Sequence, residues 1–550
     1  MIEPTFKKPP PSGDHEPPPK PKRYWWRFTV GSLVIVVAVA AAVSASGLIK
    51  IDNIAEALGH NNKLRNAVKG ILEETSGGEP QNILIMGSDK RANEPEDPGR
   101  SDTTMLLRLD PDNDAIALMS IPRDLQVEIP GVGTEKFSAA YAYGGPKLTL
   151  RVVKELTGLP INHVVNVDYL GFVRAVYAIG CVYVDVDRRY YHSNVGVPPS
   201  EQYSEINVQP GYQLMCGKRA LQYVRYRHTD TDLVRAARQQ DFLSAARQRV
   251  PISDLARDVL GEGELIDIFT EYTSSDISDT KSMIEVMKLL IASRNARINE
   301  VDFPAELGPS FVYSTPEAIE GAVDLFLGIE ASGGPRGSLD EEDGESRLQR
   351  KRKEKGGGKG KGSKSKPKPK SSLKTKPSGD DGLVAASEAG ELEAKLVARK
   401  VSHGFPVFYP SRLPPGAAYE ESNPELHIQD PRVYHFKDTD DNRHGAYRMV
   451  LTMELPDGVH YFGVQGIQGW SDPPILSGPS VTQTIRDREY EIFLDGDRIR
   501  LIAWHRGDNT YWIANSLLRV LTNDQMVGMA RSAQVKIPNE KPKKRGGAQR

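Results

Sequence analysis

Arginine recurs, in four cases of five with aspartate, in five short stretches of this 550-residue chain: GSDKR (87–91), GRSD (99–102), SIPRD (120–124), YVRYR (223–227) and DLVRAARQQ (232–240). Guanidinium groups gathered at one place repel one another unless an anion lies among them. Phosphate or pyrophosphate suits that position, because the planar Arg fork meets its oxygens two at a time. Asp89 and Asp102 add hard oxygen ligands of the kind Mg²⁺, or Mn²⁺ in its place, takes along with phosphate oxygens and water. These parts describe phosphoryl transfer, which needs charge neutralisation and in-line positioning more than a reactive side chain. Any one of the arginines alone would be an ordinary surface salt-bridge residue, and any one aspartate a turn or cap residue. The joint occurrence is the signal. The chain has no Walker loop, no GxSxG elbow and no Cys/His zinc spacing, so nucleotide hydrolysis, serine hydrolysis and zinc chemistry lack support.

The elements that must position these residues can be read from apolar periodicity. Strands are expected at 82–86, 105–109, 115–120, 163–167 and 181–186, with helices near 147–157, 169–178, 217–224 and 232–250. Such alternation predicts an α/β or α+β layered domain over residues 80–330. Asp89, Arg91, Arg100, Asp102 and Arg123 then fall in loops at strand ends, where α/β proteins place their sites. Arg235, Arg238 and Gln239 stand at i, i+3 and i+4 on one helix face. If YVRYR is extended, Arg225 and Arg227 share a face by the period of two.

Composition divides the rest. The net charge of −2 gives no reason to expect a nucleic-acid partner, but it conceals a segment, 347–376, with 14 Lys/Arg against one acid, Glu354. The remainder of the chain is therefore acidic, and 331–385 reads as a Gly/Ser/Lys-rich disordered linker, a tether or a contact for anionic polymers. Beyond it, 386–540 reads as a small α+β or mostly β accessory domain. Its tight-turn signals are Pro456-Asp457-Gly458, Asp495-Gly496-Asp497 and Arg506-Gly507-Asp508-Asn509, with a closing helix near 523–533 and a basic tail at 541–550. Near the start, residues 28–49 form an uncharged apolar run long enough for one transmembrane helix. It follows a Pro-rich tail, 1–27, with six Lys/Arg against three acids, which places the N-terminus in the cytoplasm and the bulk of the chain outside. A cleaved signal peptide is the competing reading of the same run. Residues 50–79 read as a stalk helix and turn. Cys181 and Cys216 both fall on the exported side, where disulfides persist. A bridge and two separate buried thiols both remain open, and a Cα separation above about 7 Å would exclude the bridge.

At these residues the sequence resembles the LytR-CpsA-Psr family of cell-wall ligases. The resemblance covers roughly 80–330 and rests on NILIMGSDKR, GRSDTTMLL, SIPRD, KFSAAYAYGG, GYQLMCGKRALQYVRYR and RAARQQ, in the family's order. It implies an extracytoplasmic phosphotransferase that moves a glycopolymer from a polyprenyl pyrophosphate carrier to peptidoglycan at the membrane, with pyrophosphatase chemistry as a variant. By the motifs, Asp89 and Asp102 are the implied Mg²⁺ ligands, and Arg91, Arg123, Arg225, Arg227 and Arg235 bind pyrophosphate with help from Gln239. Arg123 and Asp102 carry the implied catalytic roles, although a metal ligand makes a poor base. Arg100, Asp232 and Arg238 support them. The family's usual Gly-Asp pair before the last helix reads Thr231-Asp232 here. A tunnel for the isoprenoid tail is also implied, lined in part by 169–178, whose apolar stripe equally suits plain core. Two other functions fit the same residues: a binding protein that holds lipid phosphate and wall without turnover, and a membrane-bound regulator of envelope genes.

Overall fold

Strand β1 (Gln81–Ser88) turns Ile83 and Ile85 to one side and Leu84 and Met86 to the other, so its apolar run serves two cores at once. The computed structural model describes residues 62–75, 78–88, 101–113, 115–198, 202, 204–227, 229–249, 273–277, 282, 285–286, 288–289, 293, 296–328, 381–402, 404–420 and 432–538. The expected tail (1–27), membrane run (28–49), Lys-rich linker and basic tail thus lie outside the described residues, apart from 381–385 at the linker's end.

β2 (Ser101–Asp110) and β3 (Ala115–Ile121) follow β1 as an antiparallel meander. β6 (His163–Asp168) lies parallel to β1, and β12 (Arg297–Val301) lies parallel to β3. With β11 (Thr273–Ser275) the strands form a six-stranded mixed sheet in the order β11-β6-β1-β2-β3-β12. Helices α1 (Asn62–Val68), α2 (Ala139–Thr157) and α6 (Pro316–Phe326) contribute Leu64, Val68, Leu150, Val153, Ile319 and Phe326 to the core on the Leu84 side. The expected strands and helices of this region are all present. The helix expected from 147 begins at Ala139, with a kink at Gly145 (φ 58°), the residue before Pro146. The stalk helix is described only as α1.

Between these elements run the hairpin β4 (Gln126–Ile129) and β5 (Gly133–Lys136), helix α3 (Tyr169–Ala178), β7 (Val182–Val186), the pair β8 (Tyr190–His192) and β9 (Ile206–Val208), and β10 (Gly211–Met215). Helices α4 (Gly217–Arg225) and α5 (Asp232–Arg249) follow. Val176, Val182, Val184, Tyr223, Val224 and Phe242 bring α3, β7, α4 and α5 into one further core. Cys181 and Cys216 are joined in a disulfide, with Cα atoms 4.6 Å apart, which ties the chain after α3 to the residue capping α4.

The pairs β13 (Glu306–Leu307) with β14 (Val312–Tyr313) and β15 (Val384–Ala385) with β17 (Arg412–Leu413) are short. The C-terminal part contains α7 (Ser387–Lys400), β16 (Val407–Pro410), β18 (Ala417–Tyr419), β19 (Arg432–Lys437), β20 (Arg443–Leu455), β21 (Gly458–Gln468), β22 (Val481–Ile485), β23 (Arg488–Asp495), β24 (Arg498–Arg506), β25 (Asn509–Ala514), α8 (Asn523–Arg531) and β26 (Ala533–Lys536). Eight of these strands, β18 to β25, make an antiparallel sheet, and the three expected turns join β20 to β21, β23 to β24 and β24 to β25. Along β25, Tyr511 and Ile513 enter the core shared with α7 and α8, while Trp512 points the other way.

That second face is not solvent-exposed. Trp512, Tyr434 and Ile467 pack against Tyr183 of β7 and Tyr212 of β10, and Asp185 accepts from Trp512 Nε1 (2.9 Å) and Arg448 Nη1 (3.1 Å). Gly211 lies at this contact: a Cβ there would lie 2.6 Å from the Tyr434 hydroxyl, and its φ of +101° is one that L side chains rarely adopt.

Candidate functional site

Arg123 follows β3 in a turn, where its backbone N–H donates to Asp232 Oδ2 at 2.7 Å. Asp232 is the first residue of α5, and its other oxygen pairs with Arg235 Nη2 at 2.5 Å, so one buried carboxylate joins two of the expected arginines. Asp124 does the same on the other side. It accepts from Arg227 Nη2 (2.6 Å) and Lys136 Nζ (3.1 Å), with Arg123 Nε at 3.7 Å. Four segments distant in sequence thereby meet: the turn after β3, the end of β5, the stretch after α4 and the first turn of α5.

Two expectations need correction. Repulsion among the guanidinium groups is relieved in part by carboxylates, because Asp124 and Asp232 interleave with the arginines, so an external polyanion is not required to hold the cluster together. YVRYR is not an extended segment either. Tyr223, Val224 and Arg225 end α4, and the chain leaves helical geometry at Tyr226 (φ −55°, ψ 132°). Tyr226 is buried and its two neighbours are exposed, so Arg225 and Arg227 both face outward by a different route. The Arg225 guanidinium lies 3.9 Å from the centre of the Tyr169 ring, at the start of α3.

The α5 triad divides by role. Arg235 belongs to the cluster. Gln239 donates to Thr103 Oγ1 (3.0 Å) and to the Val224 carbonyl (3.1 Å), stitching β2 to the end of α4. Arg238 is fully buried: it donates to the carbonyls of Tyr223 (3.0 Å) and Tyr226 (2.8 Å), pairs with Asp230, and lies 4.5 Å from the Tyr190 ring centre. It braces the α4–α5 turn rather than facing a ligand. Asp124, Lys136, Asp230 and Tyr169 were not singled out from sequence. Two had a signal there, since Asp124 ends SIPRD and Lys136 opens KFSAAYAYGG.

Asp89, Arg91 and Arg100 lie outside the described residues, as does the side chain of Asp102. Gly87 pairs with Thr103 and Ser88 with Ser101, leaving Asp102 as the extra residue of a β-bulge opposite the end of β1, one position before Asp89. Among the described residues no group of three or more His, Cys, Asp or Glu side chains could hold a metal. In the expected tunnel helix α3, Val176 and Phe172 pack into the core with α4 and α5, while Leu170 and Tyr177 are exposed.

The model of the LytR_cpsA_psr family matches residues 43–322. The polyisoprenyl-teichoic acid–peptidoglycan teichoic acid transferase TagT of Bacillus subtilis is 31% identical over 242 residues, 42% of this chain and 74% of that protein. The transferase of the same description called TagU from Oceanobacillus iheyensis is 31% identical over 230 residues, 40% of this chain and 66% of its own length. Among solved structures, one described as TagT bound to LI-WTA aligns with a TM-score of 0.36 and 25% identity, covering 48% of this chain and 96% of that one. Another, described as the LytR-CPS2A-psr family protein YwtF (TagT) with bound octaprenyl pyrophosphate lipid, aligns with a TM-score of 0.32 and 23% identity over 48% of this chain and 94% of that one.

Proposed function

The chain belongs to the LytR_cpsA_psr family, and from that membership we propose that it is a membrane-anchored, extracytoplasmic phosphotransferase that moves a glycopolymer from a polyprenyl pyrophosphate carrier to peptidoglycan. Its similarity to TagT and TagU, named as transferases of this kind, supports the reaction class. The observation that carries the reading is the convergence of Arg123, Arg227, Arg235 and Lys136 on the carboxylates of Asp124 and Asp232. Such a cluster is preorganised to accept charge on a pyrophosphate without rearranging at the moment of reaction.

In this reading a wall-sugar hydroxyl attacks the sugar-linked phosphorus, and the bond from that phosphorus to the bridging oxygen breaks. Polyprenyl phosphate leaves with the electron pair, and the hydroxyl proton passes to a base or solvent as the new phosphodiester forms. Arg123, Arg227 and Arg235 neutralise the phosphate oxygens, Arg225 holds the anion's outer side, and Asp124 and Asp232 keep the guanidinium groups oriented. Asp89 and Asp102 would hold Mg²⁺ or Mn²⁺, which supplies further charge neutralisation at the pyrophosphate. Residues 28–49 would anchor the chain beside its lipid carrier. Water in place of the hydroxyl gives the pyrophosphatase variant.

The test is an assay of the full chain with a lipid-linked oligosaccharide and peptidoglycan fragments, following polyprenyl phosphate release and sugar attachment. Both products should appear with Mg²⁺ and fail in Arg123→Ala. Stoichiometric lipid retention without phosphoanhydride cleavage would overturn the reading in favour of a binding protein.

A further inference from the structure

Helix α5 carries the site on one face and a docking surface on the other. Asp232, Arg235 and Gln239 recur at i, i+3 and i+7, whereas Leu233, Val234, Ala237 and Asp241 lie about half a turn away. The second face is covered by a loop from the C-terminal unit: Leu517 and Leu518 pack against Ala237, Leu233 and Val234, and Ala237 is completely buried. Beside them Arg519 Nη2 donates to Asp241 Oδ1 at 2.7 Å and its Nε to Asp495 Oδ2 at 3.0 Å, with the guanidinium buried.

The loop holds its own shape. Asn515 Nδ2 donates to the carbonyls of Ile499 (2.9 Å) and Leu521 (3.0 Å), and Asn515 Oδ1 accepts from the N–H groups of Ser516 and Leu521. Arg519 has a φ of 53°, a left-handed conformation that a non-glycine residue keeps only where surrounding contacts enforce it. Its Nη1 donates back to the carbonyls of Ser516 (2.9 Å) and Leu517 (3.2 Å), which aims Leu517, Leu518 and the guanidinium together at α5. A second contact reaches the entrance of the same helix: the Arg188 guanidinium lies 4.7 Å from the Tyr461 ring of β21 and pairs with Asp230, the partner of Arg238.

We infer that Arg519 is a positioning residue for the transfer reaction: through Asp241 and the Leu517–Leu518 contact, the C-terminal unit sets the placement of α5, and with it Arg235 and Gln239. This rests on the function proposed above. The unit is then part of the catalytic apparatus although it supplies no group to the pyrophosphate. The physical cause is rigidity, since a helix wedged between two packed surfaces transmits a displacement of one face to the other.

Hydrogen exchange and transfer kinetics on Arg519→Ala, Arg519→Lys and Asp241→Asn test the inference. In Arg519→Ala, amides of the first half of α5 should exchange at least about tenfold faster while β24 and β25 stay protected. The specificity constant kcat/KM for the lipid-linked donor should fall about 10- to 100-fold, and Arg519→Lys should recover a large part of both losses. Unchanged exchange in α5, unchanged kinetics, or a loss of protection spread evenly over both units would overturn it. If Arg519→Ala does not fold, Asp241→Asn decides, because it leaves the loop intact: wild-type exchange in α5 would then sink the inference. A wild-type protein without transfer activity would defeat the proposed function, whereas the exchange measurements would still decide the mechanical link.

Discussion

Asp232 accepts the backbone N–H of Arg123 while pairing with the side chain of Arg235, and so ties the turn after β3 to the first turn of α5 across 109 residues of sequence. A carboxylate at the first turn of a helix is favoured by the helix dipole, and here it also sets the separation of two guanidinium groups. Asp232→Ala should therefore remove two kinds of order. Transfer should fall by at least about 100-fold, and because Arg235 loses a buried partner, stability should drop by about 3–5 kcal/mol. Denaturant titration and donor kinetics on the same preparation check both effects.

Arg123→Ala and Arg238→Ala should behave oppositely. The first leaves the backbone N–H that Asp232 holds, so transfer should be lost with little change in the unfolding midpoint. The second removes a fully buried guanidinium from Asp230 and two carbonyls. It should destabilise by about 3–5 kcal/mol. An Arg238→Ala protein of unchanged stability with reduced donor affinity would instead put Arg238 at the ligand.

The Cys181–Cys216 disulfide closes a loop with a sequence separation of 35, and loop-closure entropy for that length gives roughly 4 kcal/mol of stabilisation. Cys181→Ser with Cys216→Ser should lower the unfolding free energy by an amount of that order. Since the bridge ties α3 to the start of α4, and Arg225 at the other end of α4 stacks on Tyr169 of α3, the double variant should also bind the donor more weakly. Equal donor affinity in both forms would confine the disulfide to stability.

Glu420, next to β18, is pushed up to about 7 by burial, opposed by Arg188 and reinforced by Asp187. Tyr461 also feels its charge. The folded value lies above the ordinary 4.5, so the contribution of protonated Glu420 is complete below about pH 4.5 and is lost as pH rises through about 7. A shift of that size corresponds to at most ~3 kcal/mol. Glu420→Gln should flatten the decline in stability between about pH 5 and pH 8, as followed by denaturant midpoints. An unaltered slope would show that Glu420 is not the titrating group.

Much of the first unit was legible because its signals are local. Short apolar runs at 82–86 and 115–120, helical apolar spacing at 169–178, and the tight-turn signals of the C-terminal sheet act within a few residues, where chain geometry leaves few choices. In YVRYR the helix expected near 217–224 runs one residue further, through Arg225, because Tyr223 and Val224 are needed in the core with Phe242. The arginines and Asp232 stood out by type, and Asp124 did not. Nothing within SIPRD marks Asp124 as the acceptor for Arg227 and Lys136.

The sequence by itself determined the chemistry available to this protein: which side chains could bind an anion, which strands and helices carry them, and where charge and apolar runs divide the chain. Tertiary structure decided which arginine works as scaffold and which faces outward, how carboxylates space the cluster, and that the C-terminal sheet buries Trp512 and Arg448 against Asp185. The reason is one of range. Side-chain type and periodicity are properties of neighbouring residues, whereas the burial of Arg238 or the docking of Arg519 on Asp241, 278 residues away, exists only once separate segments have packed together.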